Sequence, residues 1–195
     1  MKLIIASNNK GKIREYKDIF EPFGFLVVSQ SEEHIHLEVE ETGTTFAQNA
    51  VLKARAIYDI AHCCVISDDS GLEVEALNGE PGLFSARYKG LETEHERRMA
   101  VLEGLEGKEN RKARFRTVIA LIQMEGDNPR CSREYRFEGI VEGKIAEEKS
   151  GNAGFGYDPI FIPEGFDKSF ADLGEEIKNS ISHRARAVEK LANFF

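Results

Sequence analysis

The chain opens with an abrupt change of pattern. Four apolar residues, Leu3-Ile4-Ile5-Ala6, stop at the polar turn Ser7-Asn8-Asn9-Lys10-Gly11-Lys12, after which apolar residues recur at helical spacing at Ile13, Tyr16, Ile19 and Phe20. A short continuous apolar run is the mark of a buried strand, and a 3.6-residue period marks an amphipathic helix. A buried strand that feeds a helix through a tight polar turn is the first layer of an α/β fold. The pattern predicts a strand over Leu3–Ala6 and a helix over Lys10–Phe20, with Gly24 ending that helix region and a second strand over Phe25–Val28.

The rest of the chain extends this plan. Thr44 or Thr45 caps a predicted helix from Thr45 to His62, with Phe46, Ala50, Lys53, Ala54, Ile57 and Ala61 on one stripe. A short strand, Val65–Ser67, is expected to run out into the acidic segment Asp68-Asp69-Ser70-Gly71. Leu72, Val74 and Ala76 then alternate with Glu73 and Glu75 as on a half-exposed strand. A helix is expected over Glu94–Leu105. Two long alternating stretches, Ala113–Met124 and Glu134–Glu147, read as paired strands joined by a loop at Gly126-Asp127-Asn128-Pro129. Glu189–Phe195 is expected to lie in a closing helix. The order implies one α/β domain over residues 1–195, with a mixed sheet and a cleft between two lobes.

Composition narrows the function. A net charge of −8 argues against a nucleic-acid polymer as partner, because neutralising a phosphate chain takes a basic surface. It leaves a mononucleotide open, which needs only a few lysines and a cation. No apolar run approaches the roughly 18–20 residues of a membrane span, and the opening stretch is too short for a signal peptide. Cys63 and Cys64 are adjacent, without the spacing of a zinc site or redox pair, so the three cysteines read as reduced thiols of a cytoplasmic protein.

Several segments carry chemistry. The turn Ser7–Lys12 places free backbone N–H groups, two lysines and the close-approach residue Gly11 at a helix start, which suits an anion; it lacks the spacing of a P-loop. Glu40-Glu41 and Asp68-Asp69 offer carboxylates, and magnesium takes one or two of these with water and phosphate oxygens. Lys53, on an apolar helix stripe, either snorkels to the surface or meets a phosphate. The glycine-rich segment Gly151–Pro159 brings Phe155 and Tyr157 where a base could stack. Lys178, His183 and Arg184 are donors suited to an oxygen-bearing purine edge.

Taken in order, five blocks resemble the inosine-triphosphatase-type family of nucleoside triphosphate pyrophosphatases: SNNKGK (7–12), EETGTTFAQNAVLKA (40–54), DDSGLEVEALNGEPGLFSARY (68–88), GFGYDPIF (154–161) and ISHR (181–184). They span nearly the whole chain. The resemblance implies a long bent mixed sheet flanked by helices, two lobes with a central cleft, and a homodimer. It implies hydrolysis of ITP, dITP and XTP at the α–β bond, giving the monophosphate and pyrophosphate, with magnesium as cofactor. By position, Ser7, Asn8, Asn9, Lys10, Gly11, Lys12 and Ser70 would bind the triphosphate. Asp69, Lys53 and Glu41 would be catalytic, with Glu41 and Asp69 serving the metal and Asp69 the general base. Phe155, Gly156, Tyr157 and Asp158 would form the base-side loop, and Lys178, His183 and Arg184 would read the base. The chain departs from the family pattern at Ala153 and at Ile177, which separates Glu176 from Lys178.

Overall fold

The computed structural model describes residues 2–126 and 128–195. The strands are β1 (Lys2–Ile5), β2 (Leu26–Ser29), β3 (Val65–Val74), β4 (Lys112–Glu125), β5 (Asn128–Ile145) and β6 (Phe161–Pro163). The α-helices are α1 (Lys10–Phe20), α2 (Phe46–Ala61), α3 (Glu94–Gly104), α4 (Phe170–Leu173), α5 (Glu175–Ile181) and α6 (His183–Ala192). The strands form one sheet in the order β2-β1-β3-β4-β5-β6. β1 runs parallel to both β2 and β3, while β5 and β6 are antiparallel, so the sheet is mixed and the fold α/β as expected.

The chain divides into two compact units: Met1–Asp69, Thr117–Gly139 and Arg184–Phe195 in the first, and Ser70–Arg116 with Ile140–His183 in the second. In the first unit, alternation along the strands decides the layers. Leu3, Ile5, Val27, Ile66, Ile119 and Leu121 bury with Tyr16, Ile19 and Phe20 of α1 and Ala187, Val188 and Leu191 of α6. The intervening residues Ile4, Ala6, Val65, Ala120 and Ile122 bury with Ala50, Ala54, Ile57 and Tyr58 of α2. Helices thus cover both faces, which is why the strands here read as continuous apolar runs. In the second unit one core gathers Leu72, Val74, Phe115, Val141, Ile145 and Phe161 with Ala100 and Val101 of α3 and Phe170 of α4. Alternate positions carry charge instead: Arg114 bonds Glu73 at 2.5 Å.

Most helix limits follow the sequence signals. α1 spans the expected residues, and its cap Asn9 accepts from the Lys12 N–H. Thr45 caps α2 by accepting from the Gln48 N–H, and Thr93 and Glu96 form a capping box on α3. Other expectations fail. Ala76 leaves the strand for a 3-10 turn over Glu75–Leu77, and the closing helix ends at Ala192, short of Phe195. The acidic segment after Ser67 is not the end of a strand: β3 continues unbroken through Asp68, Asp69, Ser70 and Gly71 to Val74. Cations that neutralise the acids, described below, remove the reason for the chain to turn there. The loop expected over 126–129 is also shorter, since Gly126 makes the turn and β5 begins at Asn128; Asp127 lies outside the described residues.

One surface cluster gives a stability prediction. Glu32 accepts from the Lys17 ammonium at 2.8 and 3.0 Å, from the Ser29 N–H at 2.7 Å and from the Ser29 hydroxyl at 2.9 Å. The Lys17 bond first, then the two from Ser29, lower its pKa from 4.5 to about 2. A carboxyl depressed in the folded state stabilises above its unfolded pKa and loses that contribution as pH falls through the folded value. Because the pair is half exposed and screened, its worth is about 1 kcal/mol or less. Glu32→Gln is therefore expected to lower the urea midpoint at neutral pH, the difference from the parent shrinking between pH 4.5 and about 2.

Candidate active site

In the first unit, the end of β1, the start of α1, the first turns of α2 and the middle of β3 bring acids and bases together. Successive side chains of a strand point to opposite faces, so the neighbours Asp68 and Asp69 enter different surroundings. Asp68 is 2% exposed. Its Oδ2 lies 3.0 Å from the Lys12 ammonium and 3.5 Å from the Arg184 guanidinium, and accepts from the Thr117 hydroxyl at 3.3 Å. Burial alone pushes the Asp68 carboxyl up, but the charges of Lys12, Arg184 and Lys53 outweigh it and hold the group well below the usual carboxylate range. Arg184 is held in turn by Glu15, also buried, at 2.9 Å.

Asp69 behaves differently. Its Oδ2 accepts from Asn49 Nδ2 at 2.9 Å, and its Oδ1 lies 3.9 Å from Lys53 Nζ. Burial raises its pKa, and the nearby Lys53, Lys12 and Asn49 reduce that rise without cancelling it. Lys53 also bonds Glu41 Oε1 at 2.5 Å. Lys53 thus does not snorkel from its stripe; it joins the two carboxylates. Burial lowers the pKa of Lys12, the Asp68 charge opposing the shift. Two adjacent carboxyls with proton affinities driven apart is an arrangement suited to separate roles, a permanent anion and a base.

The opening turn presents Asn8, Asn9 and Lys10 exposed at the start of α1, with Ser7, Gly11 and Lys12 partly covered. The Ser7 hydroxyl accepts from the Asn9 N–H at 3.2 Å and Asn9 Oδ1 from the Lys12 N–H at 3.0 Å, which shapes a helix start fit for an anion.

In the second unit, the loop of residues 154–158 is held by side chains. Asp158 Oδ2 accepts from the Phe155 N–H at 2.8 Å and from Lys178 Nζ at 2.7 Å, both side chains buried. The Lys178 ammonium stands 4.4 Å from the centre of the Phe155 ring. A Cβ on Gly154 would fall 2.2 Å from Asp158 Oδ2, so only glycine fits there. The Tyr157 hydroxyl donates to the Ser85 carbonyl at 2.9 Å, and the Ser85 hydroxyl receives the Leu72 N–H at 2.9 Å. Gly71 has no room for a Cβ, with Gly82 O at 2.2 Å, while Ser70 beside it is partly buried. His183 stacks on Phe115 at 4.8 Å between centres and 11° between planes.

Residues 3–194 match the sequence profile of the Ham1 family. This chain belongs to the Ham1 family. It is 46% identical over 193 residues to a dITP/XTP pyrophosphatase of Bacillus subtilis, covering 97% of this chain and 94% of that one. It is 45% identical over 192 residues to a dITP/XTP pyrophosphatase of Flavobacterium johnsoniae, covering 98% and 96%. Among solved structures, the Staphylococcus aureus Ham1 protein superposes with a TM-score of 0.84 at 43% identity, covering 100% of this chain and 97% of that one. A HAM1 protein from Coxiella burnetii gives 0.86 at 38%, covering 100% and 98%.

The family resemblance implies a metal, and the donor set fits one. Among the described residues no three of His, Cys, Asp and Glu gather as a ready-made cage. Magnesium does not need one, since it keeps waters and phosphate oxygens beside one or two carboxylates. Glu41 and Asp69 already share one cation, the Lys53 ammonium. Asp68 Oδ1 is a further buried oxygen that lacks a hydrogen-bond partner among the described residues.

The structure therefore joins Glu41, Lys53, Asp69 and Lys12 in one unit, and Phe155, Gly156, Tyr157, Asp158 and Lys178 in the other. Arg184, expected to read a base, bonds Glu15 and pairs in charge with Asp68 at 3.5 Å. Sequence reasoning missed Asn49, Thr117, Ser85 and Glu15 and gave Asp68 no role of its own. Asp68 left a signal in the doublet itself, and Asn49 and Ser85 lie inside the quoted blocks; Glu15 and Thr117 look like ordinary polar residues until the strands are placed.

Proposed function

We propose that this chain hydrolyses the deaminated purine nucleoside triphosphates ITP, dITP and XTP at the α–β bond, releasing the monophosphate and pyrophosphate. The observation that carries the reading is Lys53 set between Glu41 and Asp69, with the raised proton affinity of Asp69 beside it. Asp69 accepts the proton of the attacking water. Lys12 and Lys53 balance charge on the phosphoryl oxygens, as electrostatics and positioning dominate phosphoryl transfer. Ser7, Asn8, Asn9, Lys10, Gly11 and Ser70 bind the phosphates by hydrogen bonds and the α1 N-terminus.

Glu41 and Asp69 are the residues to hold magnesium, which when bound supplies charge neutralisation on the phosphates and the leaving pyrophosphate. A carboxylate bound to a cation is a poorer base, so Glu41 acts mainly as ligand and Asp69 mainly as base, the division that the buried setting of Asp69 favours.

The loop 154–158 takes the base, with Phe155 against its face. Hypoxanthine and xanthine carry an acceptor oxygen where adenine carries an amino donor, and the donors Lys178, His183 and Arg184 suit the oxygen. A site built to hydrogen-bond one pattern rejects the other by roughly 10⁴-fold. The whole chain acts as one catalytic domain, as a cytoplasmic homodimer, clearing deaminated purines from the nucleotide pool. The test is a panel of ITP, dITP, XTP, GTP and ATP with and without magnesium. Turnover of the first three, dependent on the metal and far above that of ATP, is the expected result; comparable turnover of ATP overturns the base reading.

A further inference from the structure

We infer that Arg98 is a positioning residue for base recognition: its guanidinium fixes the plane of the Gly156–Tyr157 peptide. The inference rests on the reading that loop 154–158 takes the base. Arg98 lies on α3 with its side chain 13% exposed, and its Nη1 donates to the Gly156 carbonyl at 2.6 Å. Glu94, one turn earlier on the same helix, accepts from the same nitrogen at 3.3 Å and so helps hold the guanidinium in place. The neighbouring Arg97 is committed elsewhere, to the carbonyls of Leu91 and Glu92.

The loop needs such a fastening. Gly154 and Gly156 adopt φ of +75° and +60°. Glycine populates both signs of φ at similar cost. A Cβ on Gly156 would meet nothing within 4 Å, so no neighbour crowds that side of the residue. The neighbours are tied by side chains, Tyr157 to the Ser85 carbonyl and Asp158 to Lys178. The peptide ahead of them is tied by Arg98. In a trans peptide the carbonyl and the following N–H point opposite ways. Turning the Gly156 carbonyl toward α3 therefore also sets the direction of the Tyr157 N–H, and with it the donor pattern that the loop offers. A charged donor on a carbonyl is among the stronger hydrogen bonds, so one peptide orientation is selected before a nucleotide arrives.

The experiment compares full-length parent, Arg98→Met and Arg98→Lys by hydrogen–deuterium exchange of the loop amides and by steady-state kinetics on ITP and GTP. For Arg98→Met, loss of a charged hydrogen bond is expected to speed exchange across 154–158 by about 10-fold or more. The KM for ITP should rise and the preference for ITP over GTP should fall, with kcat changed less than KM. Arg98→Lys keeps one charged donor and should lie between the two; it carries the comparison if the methionine variant does not fold. Unchanged loop exchange in both variants overturns the positioning role itself. Faster exchange with unchanged KM and base preference overturns the assignment of the base to this loop, and the inference with it.

Discussion

Asp69→Asn is expected to lower kcat for ITP hydrolysis by roughly 10²–10⁴-fold, the range that a positioned general base supplies, while leaving the chain folded and KM within a few-fold of the parent. The substitution is close in shape and keeps an oxygen to accept from Asn49. It removes the group proposed to hold the proton. Two opposing effects act on that group: burial raises its proton affinity, and Lys53 and Lys12 lower it, with burial the larger. Glu41→Gln tests the other half of the division. If Glu41 serves the metal, its loss is expected to raise the magnesium concentration needed for half activity, with partial recovery at high magnesium. Asp69→Asn should show no such recovery. Near-parental turnover of Asp69→Asn at saturating magnesium contradicts the assignment.

The largest stability effect is expected at the neighbouring residue. Asp68→Asn keeps the shape and the Thr117 contact but deletes a buried charge that faces Lys12 at 3.0 Å and Arg184 at 3.5 Å. Removing one partner of a buried ion pair leaves the other charge unsolvated, which costs about 3–5 kcal/mol. That is a large share of the 5–15 kcal/mol that holds a typical domain together. Urea unfolding should show a lower midpoint with an unchanged slope, since the surface exposed on unfolding is the same. Glu15→Gln should cost less, because Arg184 would retain Asp68. A loss under about 1 kcal/mol for Asp68→Asn would mean that water reaches Lys12 and Arg184, as at a surface pair.

These residues also mark where the sequence was legible. Helix α1 and the cap of α2 were readable because periodicity and capping are local: Ile13, Tyr16, Ile19 and Phe20 lie on one stripe, and Thr45 precedes Phe46. The continuity of β3 was not. Asp68-Asp69-Ser70-Gly71 has the composition of a turn, and its reading as a strand depends on Lys12, Lys53, Arg184 and Asn49, which arrive from distant segments. Gly71, a turn signal by itself, is required instead by the backbone of Gly82. The residues of the proposed catalytic cluster were nameable because their blocks recur in a known order, whereas the supports Asn49 and Ser85, inside those blocks, and Arg98, outside them, carry no local pattern that assigns them a role. They matter only through the atom they touch, respectively Asp69 Oδ2, the Leu72 N–H and the Gly156 carbonyl.

The central claim is that water attacks the α-phosphorus of a deaminated purine triphosphate. Hydrolysis of ITP in water labelled with heavy oxygen, with magnesium present, tests it most directly. Inosine monophosphate carrying the label, together with unlabelled pyrophosphate, is the predicted result. Orthophosphate with inosine diphosphate, or label in the pyrophosphate, would contradict it.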